Sequence, residues 1–237
     1  QISAYLDTTT MLPIELEYNI HIDKEVIFMK KKTIITISRE FGSGGRMIGK
    51  MLAERLKIPF YDKELIEIAA KESGIDKELF EDNDSRTSKG FHLFGALGYS
   101  LGGPLSAITE LSLNDRLYLV QAHVVEQVAN QGACVIVGRC ADYVLRERDD
   151  VINVFIHADE KDKVARAKTS YEVDLRDVEK SILKIDKRRA NYYEYYTDRT
   201  WGKAENYDIS LNSSTFGLEG CVDIIMELMK KEEEHGR

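Results

Sequence analysis

The stretch Ile35 to Leu56, ITISREFGSGGRMIGKMLAERL, constrains the fold more than any other part of the chain. A short β-branched run, TIITI at 33–37, leads into Gly42, Ser43, Gly44, Gly45 and Arg46. Ile48, Leu52, Ala53 and Leu56 then recur at the spacing of one helix face. Glycines let a backbone take positive φ and approach an anion closely, so that successive N–H groups converge on its oxygens. The helix that follows adds the positive end of its dipole. This strand–turn–helix setting is the context that a phosphate-binding turn requires. The same residues would also make a tight β–α connection that holds no ligand.

The turn lacks the lysine-bearing pattern GxxxxGK[ST] of nucleoside triphosphate sites. Aligned on its glycines, Gly45 takes the lysine position and Arg46 follows. The dinucleotide fingerprint GxGxxG fails as well, because Met47 stands where its third glycine belongs. Asp62 falls 20 residues after Gly42 at the end of a second strand pattern, where a ribose-binding acid would lie.

Beyond the turn, strand and helix patterns alternate. KIPFYD (57–62), ACVIVG (133–138), VINVFIHAD (151–159) and YDISLNSS (207–214) read as strands. Between them lie helical patterns at 63–74, about 114–130, along EKDKVARAK, over 174–200, and in the closing GLEGCVDIIMELMKKEEEH. Such alternation predicts an α/β fold, a parallel sheet covered on both faces, with ligands at the carboxyl ends of the strands. Residues 1–29, with the alternating IELEYNIHID, read as an appended strand or the remnant of an upstream element, and 30–237 as one domain. Within that domain 81–110 reads as a mobile insertion. Its apolar part, 91–110, serves either self-association into a homo-oligomer or cover over a ligand.

Composition narrows the function. A formal charge of −8 argues against a nucleic-acid surface, though a cleft can be locally basic on an acidic protein. Three cysteines with no CxxC pair and five histidines with no spaced cluster indicate neither a disulfide framework nor a metal site. No apolar run approaches the ~20 residues of a membrane span. A reducing, cytoplasmic setting is the expectation.

The segments ISREFGSGGRMIGKMLAERLKIPFYDKELI, VIVGRCADYVL and DKRRANYYEYYTDRTWGKAENYDISLNSS resemble the cytidylate kinase-like family, a branch of the P-loop nucleoside monophosphate kinases. The likeness runs in order from about 30 to 230. It implies a three-layer P-loop NTPase fold with a five-stranded parallel sheet, a helical lid over 174–205 and an acceptor-binding insertion. It also implies transfer of a phosphoryl group from ATP, with Mg²⁺, to a nucleoside monophosphate, CMP or dCMP first. In that scheme Gly42, Ser43, Gly44, Gly45 and Arg46 hold the donor phosphates. Arg39, Asp62 and Arg139 belong to the acceptor side, and Arg188 and Arg189 close over the transferring phosphate, with Arg46 as a further catalytic cation. Asn212, Ser213 and Ser214 lie near the donor base.

This sequence departs from the family in three places. Cys140 stands where an aspartate reads the cytosine base, and the nearest carboxylate is Asp142. The lysine is absent, so either Arg46, helped by Arg39, supplies its charge, or Arg46 points outward as a solvated first-turn residue. The Mg²⁺-holding Ser/Thr after that lysine is absent too, leaving Ser43 or water. Two further readings concern residues outside those positions. Arg166, on EKDKVARAK, reads as a solvated face. Tyr192, Tyr193, Tyr195, Tyr196 and Trp201 either stack on a base or pack the lid hinge. A kinase-like module that binds nucleotide without turnover, or a kinase of another small acceptor, remains as an alternative.

Overall fold

A computed structural model describes residues 33–82, 111–170 and 177–234. The sequence expectations for 1–29 and for most of 81–110 therefore lie outside the described residues. Five strands form one sheet: β1 (Ile34–Arg39), β2 (Phe60–Tyr61), β3 (Cys134–Val137), β4 (Val151–His157) and β5 (Ile209–Asn212). Their order is β2-β3-β1-β4-β5, and every pairing is parallel. β1 is central, in register with β3 from Ile34 opposite Cys134 and with β4 from Ile34 opposite Val151.

Alternate residues of the same strands feed two separate cores, as a sheet covered on both sides requires. Ile35, Ile37, Val135, Val137, Val154 and Ile156 face α1 (Gly45–Leu56) and the last helix, α8 (Ser213–Glu234). Ile34, Cys134 and Ile136 face α2 (Glu64–Ser73), α4 (Leu113–Asn130) and the short α5 (Ala141–Val144). A one-turn helix, α3 (Lys77–Asp82), follows α2. α1 presents Ile48, Leu52, Ala53 and Leu56 to its core, the face that its sequence period marks. α2 ends at Gly74 in the left-handed region, and α4 starts on Ser112, whose hydroxyl accepts the Asp115 N–H.

Two more helices complete the described chain. α6 (Glu160–Ser170) and α7 (Val178–Thr197) pack on one another and on Phe41 through a small cluster of Val164, Ala167, Val178 and Ile182. Within the described residues, no helix is long and apolar enough to cross a membrane.

The order of the strands sets the location of the site. From β1 the chain moves outward to β2, returns to β3 beside β1, and then crosses to β4 and β5 on the other side. Where such an order reverses, the connections diverge and leave a crevice at the carboxyl ends of the strands. Arg39, Asp62, Gly138 and Asn212 all stand at or just beyond those ends.

Candidate functional site

The turn between β1 and α1 packs tightly. Gly42 (φ 74°) and Gly44 (φ 82°) are left-handed, and a Cβ on Gly42 would meet the Lys163 carbonyl oxygen at 2.6 Å. Gly45 has no room either, since its Cβ would lie 2.6 Å from Arg39 Cβ. Part of the demand for glycine here therefore comes from protein packing. Ser43 is fully buried. Its hydroxyl donates to the Glu40 carbonyl at 2.9 Å and accepts the Gly45 N–H at 3.3 Å, while its own carbonyl accepts Ser213 Oγ at 2.6 Å. That hydroxyl serves the turn and is not directed at a metal. Among the described residues no group of three or more His, Cys, Asp or Glu side chains is placed to hold one.

Arg46 turns away from the glycines. Its Nε bonds Asp62 Oδ2 at 2.5 Å and its guanidinium lies 5.9 Å from the centre of the Phe60 ring. Asp62, whose side chain is only 7% exposed, also pairs with Arg39 Nη2 at 3.5 Å. The residue at the ribose-acid spacing is thus the shared anion of two arginines. The guanidinium at the glycine turn belongs to Arg166 of α6. Its Nη1 donates to the Gly42 carbonyl at 3.0 Å, and the group lies against Gly44. The solvated reading of Arg166 is corrected on this point. Val164 and Ala167 anchor α6 against Phe41 and α7, which rolls Lys163 and Arg166 toward the turn. Lys163 Nζ pairs there with Glu40 Oε2 at 3.0 Å.

Beside the turn lies a half-open cleft lined by Ser38, Arg39, Gly138, Arg139, Cys140, Arg189, Tyr192, Tyr193 and Trp201. Three arginines from three parts of the chain, Arg39, Arg139 and Arg189, converge in it. Arg139 and Cys140 both have positive φ, 60° and 53°, directly after Gly138 at 75°. Such conformations cost about 1–3 kcal/mol each for residues other than glycine, and they cluster where side chains are aimed for a purpose. Arg39 occupies the space that a Cβ on Gly138 would need.

Cys140 lines the cleft, but Asp142 does not. Asp142 is 4% exposed and accepts the Tyr193 hydroxyl at 2.6 Å. Burial raises its carboxyl above the usual range, against the pull of Tyr193, backbone N–H groups and Arg199. Tyr193 therefore bolts α7 to α5. Its own hydroxyl is pushed far up, by burial first and then by Asp142. The aromatic run divides: Tyr192, Tyr193 and Trp201 line the cleft, Tyr196 stacks on Tyr118 at 4.1 Å between ring centres, and Tyr195 is exposed. Arg188 does not line the cleft in this conformation, and its Nε is buried without a hydrogen-bond partner among the described residues. Asn212 and Ser214 both bond Asp159, at 3.0 and 2.9 Å, on the side of the turn away from Asp62.

Comparison with known proteins agrees with this architecture. The model of the cytidylate kinase-like family matches residues 34–215, which spans the turn, the cleft and α7. A solved structure of an uncharacterized protein from Eubacterium ventriosum is 27% identical, over 84% of this chain and 99% of that one, with a TM-score of 0.61. Shikimate kinase from Bacteroides thetaiotaomicron is 14% identical over 84% of this chain and 98% of its own, with a TM-score of 0.49. The shikimate kinase of Acinetobacter baumannii, solved with shikimate, is 13% identical over 87% and 97%, also at 0.49. No curated protein matches.

Proposed function

The chain belongs to the cytidylate kinase-like family, and on that premise we propose that it transfers the γ-phosphoryl group of ATP to a nucleoside monophosphate. CMP and dCMP are the acceptors to expect first. The observation that carries this reading is the convergence of Arg39, Arg139 and Arg189 in one cleft beside the glycine turn.

In the transfer an acceptor phosphate oxygen forms a bond to the γ-phosphorus as the bond from that phosphorus to the β-bridging oxygen breaks, leaving ADP. The acceptor oxygen is already anionic, so no general base is needed. The protein positions two anions and neutralises the charge that spreads between them. Arg166 and the first-turn N–H groups of α1 sit where the donor phosphates would lie. Arg39 and Arg139 would hold the acceptor phosphate through planar, permanently charged forks. Arg189, and Arg188 after a small rotation of α7, would neutralise the group in flight. Among the described residues the donor set does not fit a magnesium ion held by side chains, since Ser43 is committed to the turn, and no step is assigned to the ion.

A coupled assay of ADP release with ATP and Mg²⁺, run against CMP, dCMP, UMP, AMP and GMP with a no-acceptor control, tests the proposal. ADP formed only with a pyrimidine monophosphate is the expected result. Acceptor-independent or absent ADP release would overturn it. A second reading, a nucleotide-binding module without turnover, is favoured by the engagement of Arg46 with Asp62 where the lysine's charge would be wanted. ATP binding by calorimetry with no turnover on any of the five acceptors would select that reading.

A further inference from the structure

One face of α7 runs through Val178, Ile182, Asp186, Arg189, Tyr193 and Thr197, spaced by three and four residues, with Asp186 and Arg189 half-buried between the buried ends of the stripe. An aspartate and an arginine stand in the middle of a stripe that packing alone would fill with apolar side chains. Both reach the strand end and turn of the donor site. Asp186 Oδ1 accepts the Phe41 N–H at 2.7 Å, and Arg189 Nη1 donates to the Arg39 carbonyl at 3.2 Å. Arg189 also lies 5.6 Å from the centre of the Phe41 ring and 3.5 Å from Asp186. One turn of α7 thus grips the backbone on both sides of Glu40.

The charged groups facing Asp186 are Arg189 on its own helix, Glu40 in the turn and Lys163 on α6, the last two paired with each other. Burial dominates and pushes the carboxyl up to about 6, against the Phe41 N–H, Arg189 and Lys163. A carboxyl whose folded value lies above its unfolded value of ~4 takes up protons on folding, so stability falls as pH rises from about 4 to about 6. Ionising Asp186 therefore costs the fold stability at neutral pH that the Phe41 N–H, Arg189 and Lys163 offset only in part.

We propose that Asp186 is a positioning residue for the donor site: its ionised carboxylate holds the Phe41 N–H and thereby sets the glycine turn for phosphates according to the placement of α7. The proposal rests on the donor-site reading given above. Two measurements on the full chain separate them. The first, amide hydrogen exchange at Phe41 without ligand, reads the contact itself. The second is the ATP dissociation constant by calorimetry from pH 5 to 8, taken as the ratio of variant to wild type, so that protonation of ATP cancels.

In Asp186→Ala the Phe41 amide should exchange at least tenfold faster, and ATP should bind about tenfold more weakly at pH 7.5. Asp186→Asn keeps an acceptor oxygen, so it should restore most of the affinity. Its ratio to wild type should fall toward one below pH 6, where the wild-type carboxyl is itself neutral. Unchanged exchange at Phe41 overturns the contact. Faster exchange with unchanged ATP affinity overturns the coupling and leaves a structural bond. Faster exchange in a protein whose wild type binds no ATP overturns the donor-site reading, and the coupling with it.

Discussion

Replacing Tyr193 with Phe removes one hydroxyl and leaves a carboxylate behind. Asp142 is 4% exposed and Tyr193 3%, and the hydroxyl sits 2.6 Å from Asp142 Oδ2. A short O–H···O⁻ bond of this kind contributes about 1.5–3 kcal/mol when the acceptor is ionised, and about 1 kcal/mol when it is neutral. Phe leaves no new cavity beyond the hydroxyl, so the hydrogen bond dominates the difference. The penalty should therefore depend on pH. Burial already raises the Asp142 carboxyl, so stability in the wild type falls as pH climbs above the usual carboxylate value of ~4. Loss of the tyrosine raises it further, which steepens that fall. At pH 8 Tyr193→Phe should cost about 2–3 kcal/mol, and near pH 4 only about 1 kcal/mol. With a urea slope of ~2 kcal/mol/M, the midpoint moves down by about 1 M at pH 8 and by about half that at pH 4. Urea melts of both proteins at the two pH values, followed by Trp201 fluorescence, give the comparison. An equal shift at both would refute the reasoning, because it would mean that Asp142 holds one protonation state throughout. A shift below about 0.2 M at pH 8 would show that the bolt between α5 and α7 carries no load.

Arg166→Ala should weaken ATP binding about tenfold in calorimetry through loss of the guanidinium at the turn, with little change in melting temperature. If Asp62 belongs to the proposed acceptor side, Arg46→Ala, which breaks its pair with Asp62, should affect acceptor KM more than ATP affinity in steady-state kinetics. Arg188→Ala should lower turnover far more than ATP affinity, and equal losses in both would contradict a role confined to the transition state. Gly42→Ala, at φ 74° with a backbone oxygen 2.6 Å from the new Cβ, should lower stability by several kcal/mol in urea melts. Gly74→Ala, at φ 68° with open space around it, should cost only about 1 kcal/mol.

The contrast between what the sequence announced and what it concealed has a physical basis. β1, β3 and β4 were legible because a strand buried on both faces must be apolar at consecutive positions, and IITI, CVIV and VFI admit few other readings. α1 was legible because one of its faces meets the sheet and the other meets water. Arg39, Asp62 and Arg139 were grouped through the family resemblance, and the parallel sheet brings them to one edge because all its carboxyl ends lie there. Helix rotation was not legible by the same means. EKDKVARAK reads as solvated because its charges outnumber its apolar residues. Yet the two that matter for packing, Val164 and Ala167, are three apart and lock against Phe41, which brings Lys163 and Arg166 to the turn.

Direction of individual side chains was the other blind spot. Nothing in the order Gly45-Arg46 shows that Arg46 leans toward β2. The lean depends on a carboxylate 16 residues away that also needs Arg39. α7 did carry a readable signal, for its inner face places the half-buried Asp186 and Arg189 between the buried Ile182 and Tyr193. A polar pair in a packing stripe marks contacts beyond packing, here with the Phe41 N–H and the Arg39 carbonyl. Among the described residues, Asp142 and Asp186 are the two carboxylates that burial holds above their ordinary range, and both tie α7 to the site, one through Tyr193 and one through Phe41. A helix that had only to pack would need neither the Tyr193 hydroxyl nor Asp186 on its inner face. That these ties fall on the helix carrying Arg188 and Arg189 is what a site needs if its cations must be held in register with the glycine turn.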